Sequence, residues 1–104
     1  MDFATLARSA SSGGSSGGSL VLLDVRRQGE WQQSHIQGAV HIPLHELAAR
    51  LDEVPDGAVW VHCEAGYRAA VAASLLAARG RQVVAINDQF GAAEQAGLTI
   101  VSGN

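Results

Sequence analysis

The chain has one cysteine in 104 residues. A lone cysteine excludes an internal disulfide and suits a reducing compartment. There is no basic run, and the formal net charge is −3, so nucleic-acid binding has no electrostatic footprint. No apolar stretch approaches the ~20 residues of a membrane span. The opening MDFATLARSAS lacks the basic and apolar regions of a secretory signal, which gives the expectation of a cytoplasmic protein. No GxGxxG follows the first apolar run, which disfavours a dinucleotide site. His41 and His45 are four apart, but Pro43 stands between them and no second cluster of ligands is present, so no metal site is expected.

What remains is an ordinary globular composition, 47% hydrophobic and 16% charged, at a length that supports one hydrophobic core. Asp2 to Ala10 reads as a short helix with Phe3, Leu6 and Ala10 near one face. Ser11 to Ser19, SSGGSSGGS, is low complexity and reads as a flexible loop or linker. We therefore divide the chain into an N-terminal helix with a flexible Ser/Gly segment, residues 1–19, and a folded domain, residues 20–104. Leu20 to Val25 is apolar on both faces, as a central parallel strand is. Ala39 to Ile42 reads as a short strand, and residues 44 to about 51 as an amphipathic helix opening after Pro43. Gln82 to Ile86 supplies another β-branched strand.

The chain is organised around Ala58 to Gly80, AVWVHCEAGYRAAVAASLLAARG. Val59 and Val61 alternate with Trp60 and His62 in a short strand. A tight turn runs from Cys63 to Arg68, with Gly66 giving it backbone freedom. From Ala69 a helix rich in alanine and leucine follows, capped at Gly80. Its alanines permit close approach to a sheet, with Val71, Leu75 and Leu76 as the bulk of the buried side. A cysteine between strand and helix sits beneath unpaired backbone N–H groups. Those groups favour negative charge, so Cys63 should carry a useful thiolate fraction at neutral pH. The competing possibility is an inert buried thiol.

Four residues, Glu64 to Tyr67, separate Cys63 from Arg68. Protein phosphatases and related arsenate reductases use a loop one residue longer, wide enough for phosphate. The shorter HCxxGxR loop resembles that of the rhodanese (sulfurtransferase) family, which cradles a single sulfur atom. LLDVRRQGEW is similar to the family's DVR…E-aromatic segment, with Arg26 expected to pair a carboxylate such as Glu30. SHIQGAVHIPLHEL is similar to its second signature, in which His35 hydrogen-bonds the backbone. Asp88 to Val101 matches loosely, with Asp88-Gln89 in place of a glycine pair, Ala93 in place of tryptophan and Thr99 in place of proline. The resemblance covers residues 20–101.

The resemblance implies an α/β fold, with a mainly parallel five-stranded central sheet and helices on both faces. It implies a sulfurtransferase without cofactor, in which Cys63 becomes a persulfide and passes its sulfur to a thiol or cyanide. Cys63 and Arg68 are the expected catalytic residues, and Glu64, Ala65, Gly66, Tyr67 and Arg26 the expected substrate-binding residues. The expected partners are a small sulfur donor, thiosulfate or a persulfide, and a thiol acceptor. A protein persulfide is a further donor. VHCEAGYRAAVAASLL is also similar to rhodanese modules joined to persulfide dioxygenases, which makes such an enzyme a candidate partner. Two other readings remain open: a non-catalytic rhodanese-like interaction module, and a small cysteine-dependent phosphatase or arsenate reductase.

Overall fold

The apolar run after the Ser/Gly segment forms β1, Leu20–Asp24, and it lies inside the sheet. The computed structural model describes residues 2–11 and 20–103. The expected linker at 12–19 lies outside the described residues. β1 pairs in parallel along its whole length with β4, Ala58–His62, so that Asp24 comes level with His62. On its other edge it pairs with β3, Val40–His41, and β4 carries β5, Val83–Ala85. The sheet order is β3-β1-β4-β5, all parallel.

The central sheet therefore has four strands among the described residues rather than five. Two further pieces leave it: β2, His35–Ile36, and β6, Ile100–Val101, form a separate antiparallel ribbon. Gln37 N–H donates to Thr99 O (2.9 Å) beside that ribbon, so the last part of the chain closes onto β2.

Strand alternation divides the core in two. Val21, Leu23, Val59 and Val61 face Leu47, Ala69, Ala72 and Leu76 of two helices, α3 (Leu44–Leu47) and α4 (Tyr67–Ala78). Trp60 and the partly buried Leu22 and Val84 face the opposite way, toward α1 (Phe3–Ser11) and α5 (Ala92–Gln95). Each fully buried Leu, Val or Phe contributes about 1.5–3 kcal/mol. Ala69 and Ala72 are fully buried, which lets α4 lie close on the sheet. Val71, expected on the buried side, is 39% exposed, because it is two residues from Ala69 and so turned away from the face that Ala69, Ala72 and Leu76 share.

Several boundaries differ from expectation for local reasons. The N-terminal helix packs on the sheet, with Phe3 and Leu6 buried beside Ile36, Trp60, Ile86 and Ala93. The helix after Pro43 stops at Leu47 and is followed by a single 3-10 turn, Leu51–Glu53. Arg50 interrupts it with φ −123° and ψ 24°, while its guanidinium holds Glu46 (2.7 Å) and Glu53 (2.9 Å). A helix not anticipated, α2 (Gln28–Gln33), buries no residue and so carries no apolar periodicity to announce it. α4 starts at Tyr67, two residues earlier than Ala69. It ends as expected, with Gly80 at φ +79° just beyond Arg79.

Candidate active site

From β1 the chain crosses to β3 on one side, then returns to β4 on the other. The change of direction lies between β1 and β4, and open parallel sheets place their sites outside the strand ends at such a point. Cys63 is the first residue beyond β4 there. Its Sγ accepts hydrogen bonds from the backbone N–H of Gly66 (3.0 Å) and of Ala69 (3.3 Å). The thiol is 2% exposed, so the sulfur sits at the floor of the loop rather than on its surface. Two N–H dipoles aimed at one sulfur favour a negative charge on it.

Gly66 makes this curl possible. It has φ +100°, and a Cβ added there would meet Asn87 Oδ1 at 2.6 Å and Asn87 Cα at 3.3 Å. No other residue combines that conformation with that clearance. The other side of the loop is pinned where Phe90 N–H donates to Glu64 O (2.8 Å). Glu64 and Ala65 lie on the outside, and Tyr67 stands 80% exposed at the rim.

Arg68 has a carboxylate partner on α2. Its guanidinium makes a two-pronged pair with Glu30, Nη1 to Oε1 2.7 Å and Nη2 to Oε2 3.0 Å. The Glu30 carboxyl is held at about 2 instead of 4.5, chiefly by the Arg68 hydrogen bonds, against the effect of burial, with the Arg27 backbone N–H assisting. The same partnership raises Arg68 further above its ordinary value. The pair ties the first turn of α4 to α2.

Arg26 therefore does not pair with Glu30. It is 2% exposed and grips Asp24, Nε to Oδ1 3.0 Å and Nη2 to Oδ2 2.8 Å. Its Nη2 also donates to Ser34 O (2.7 Å), its Cζ lies 3.9 Å from the centre of the Phe90 ring, and its Nη1 is 4.0 Å from Glu64 Oε1. Thus it holds the loop from beneath, through the side chain of Glu64. The structure brings Cys63, Glu64 and Arg26 together, and places Arg68 with Glu30 on the adjoining wall.

His62, which precedes the cysteine, is fully buried beside Phe3 (ring centres 5.4 Å) and Phe90 (5.8 Å), and neither ring nitrogen has a hydrogen bond. Burial lowers it from 6.5 to about 4, with Asp24, 3.6 Å away, opposing. It is a neutral part of the packing under the site. His35 behaves as expected, its Nδ1 2.8 Å from Trp31 O. His41 stacks on Trp31 and its Nε2 contacts Arg26 O at 2.8 Å, while His45 pairs with Glu46 (3.3 Å). The two do not converge. Among the described residues no group of three His, Cys, Asp or Glu could hold a metal ion.

A family model for the rhodanese-like domain matches residues 9–92. The chain belongs to the rhodanese-like domain family. The match begins in the last turn of α1 and ends inside the loosely matching segment. The chain is 41% identical over 61 residues to the thiosulfate sulfurtransferase PspE of Escherichia coli, covering 56% of this chain and 59% of that protein. It is 38% identical over 63 residues to the putative sulfur carrier protein YrkF of Bacillus subtilis, covering 60% of this chain and 34% of that one. It thus spans less than two thirds of either relative. A solved structure described as a rhodanese with anions from E. coli superposes with a TM-score of 0.69 at 31% identity, over 82% of this chain and all of that one. Among the described residues no helix is long and apolar enough to cross a membrane.

Sequence reasoning named every loop residue but missed the supports. Phe90 and Asn87 meet the loop from the far side of β5, and only Phe90 carried a signal, as one of the residues the family pattern keeps. Glu30 is visible in the sequence, but its partner is Arg68 and not the expected Arg26.

Proposed function

We propose that this rhodanese-like chain transfers a sulfane sulfur through a persulfide on Cys63. The observation that carries the reading is the pair of backbone N–H groups aimed at Sγ, that of Gly66 in the four-residue loop and that of Ala69 in the first turn of α4. The Cys63 thiolate attacks the outer sulfur of the donor. A new S–S bond forms, the donor's own bond to that sulfur breaks, and its electron pair leaves on sulfite or on a thiolate. The product, Cys63–S–S⁻, carries its charge on the terminal sulfur, where the N–H groups of the loop provide an anion cradle. An acceptor thiolate or cyanide then attacks the terminal sulfur, and Cys63 departs as thiolate, free for another cycle.

The family membership and the sulfurtransferase among the relatives support this reading, as does the loop being one residue shorter than a phosphatase loop. A lone thiol that must be free to react suits a reducing, cytoplasmic setting. The donor and acceptor in this proposal are a thiosulfate or persulfide and a thiol, with a persulfide dioxygenase as a candidate protein partner. Intact mass is the test. Incubation with thiosulfate or glutathione persulfide should add one sulfur to the wild type, cyanide should remove it, and Cys63→Ser should gain none. A wild type that gains no sulfur from either donor overturns sulfur transfer and leaves the interaction-module reading.

A further inference from the structure

The wall beside the loop is hollow. A cavity of about 410 Å³ is lined by Val25, Arg27, Leu44, His45 and Arg68, and a second of about 370 Å³ by Arg27, Glu30 and Arg68. Arg68, which lines both, precedes Ala69, whose N–H contacts Sγ, and Val25, which lines the first, packs in one cluster with Cys63. A cradle for one sulfur atom has no use for such a space. Its size falls in the range that holds a small organic ligand.

The charges of the wall are already assigned, with one exception. Arg68 is taken by Glu30, Arg26 by Asp24, and Arg50 by Glu46 and Glu53. Arg27 lines both cavities, is exposed, and has no carboxylate within ion-pair distance among the described residues. Val25 and Leu44 give the larger cavity an apolar side. Glu64, 54% exposed at the loop, adds negative charge near the sulfur. A bare dianion would meet one unpaired cation, an apolar wall and that carboxylate. A longer molecule fits better: a reactive sulfur at one end, an organic body against Val25 and Leu44, and a carboxylate at the other end on the planar fork of Arg27.

We propose that Arg27 is a specificity residue that binds the carboxylate of an acidic, low-molecular-weight organic persulfide, whose body fills the cavity between Arg27, Leu44 and His45. This deepens the sulfur-transfer reading and rests on it for the reactive end of the ligand. Arg27 acts on donor capture and not on the sulfur itself.

The test separates the two. S-methylglutathione, which cannot donate sulfur, is titrated into the full chain carrying Cys63→Ser, alone and combined with Arg27→Gln or Arg27→Glu, by heteronuclear NMR. The corresponding dimethyl ester is titrated in parallel. With Arg27 present the acid should bind about tenfold more tightly than the ester, the scale of one charge-assisted contact. Arg27→Gln should erase that preference, and Arg27→Glu should invert it. In the otherwise unaltered enzyme, Arg27→Gln should raise KM for glutathione persulfide about tenfold while kcat stays within twofold. Equal affinity for acid and ester, or an acid preference that survives Arg27→Gln, overturns the proposal. Failure of sulfur transfer would show separately, as a wild type that takes no sulfur from any donor.

Discussion

Replacing Glu30 by glutamine tests whether the loop is braced as the structure shows. The substitution keeps the side-chain shape but leaves the Arg68 guanidinium facing a neutral amide. In the folded protein the Glu30 carboxyl is lowered from 4.5 to about 2. At ~1.4 kcal/mol per tenfold change in proton affinity, that bounds the stabilisation of the charged form at roughly 3 kcal/mol. The side chains of Arg68 and Glu30 are 28% and 31% exposed, and solvent screening reduces the expected loss to about 1–2 kcal/mol at pH 7. The sign with pH follows from linkage. Between 4.5 and about 2 the unfolded chain holds the proton at Glu30 more than the folded chain does, so stability falls as pH falls through that window. Above about pH 5 the contribution is complete. Urea unfolding of wild type and Glu30→Gln at pH 7, 5, 4, 3 and 2.5 should therefore show a gap of about 1–2 kcal/mol that narrows steadily below pH 4.5. Arg68→Met in both backgrounds completes a double-mutant cycle, with a coupling of similar size at pH 7. A gap that is absent at pH 7, or equally large at pH 2.5, refutes the brace.

Two further outcomes follow from residues beside the sulfur. Gly66→Ala combines a left-handed backbone with a Cβ 2.6 Å from Asn87 Oδ1. It should cost roughly 2–4 kcal/mol in thermal or urea unfolding and reduce sulfur loading of Cys63 at least tenfold, because the Gly66 N–H is displaced from Sγ. His62→Phe keeps the ring and removes the proton site. His62 is lowered from 6.5 to about 4, so between those values the unfolded chain binds the extra proton and the wild type loses stability as pH falls through the window. The variant should show a shallower loss between pH 6.5 and 4 in urea unfolding, and equal slopes would remove His62 from the pH response.

The parts of the fold legible in the sequence are those set by local periodicity. Val21 and Leu23 against Leu22, and Val59 and Val61 against Trp60, alternate as two-faced strands do, and the structure sends them to the two cores they imply. Gly66, Gly80 and the strand-turn-helix around Cys63 are local as well. What did not show are pairings made at a distance. β2 and β6 are two residues each and lie far apart in the sequence, too short for periodicity to reveal a partner. Glu30 and Arg68 are 38 positions apart, and the carboxylate two residues before Arg26 competes with the one four residues after it. Local geometry and burial decide between these: Asp24 Oδ1 accepts from both the backbone N–H (2.9 Å) and the Nε (3.0 Å) of Arg26 where the chain bends after β1, and a buried cation needs its partner within the core.

Three arginines near the site have three different tasks. Arg26 and Arg27 are neighbours in sequence, yet Arg26 is buried and Arg27 exposed. One enters the core, where Asp24 and the face of Phe90 compensate its charge and Glu64 receives what reaches the loop. The other emerges beside the cavity with no carboxylate to meet it among the described residues. Arg68, at the position the family pattern marks as catalytic, is neutralised by Glu30 and secures the helix that presents its N–H group to the sulfur. On the proposed reading, the backbone carries the charge stabilisation at the reacting atom, a brace holds that backbone, and Arg27, the cavity-lining arginine with no carboxylate partner among the described residues, takes the far end of the donor. On this division of labour, substitutions at Arg68 should register in stability and in kcat together, while substitutions at Arg27 should register in KM for acidic donors alone.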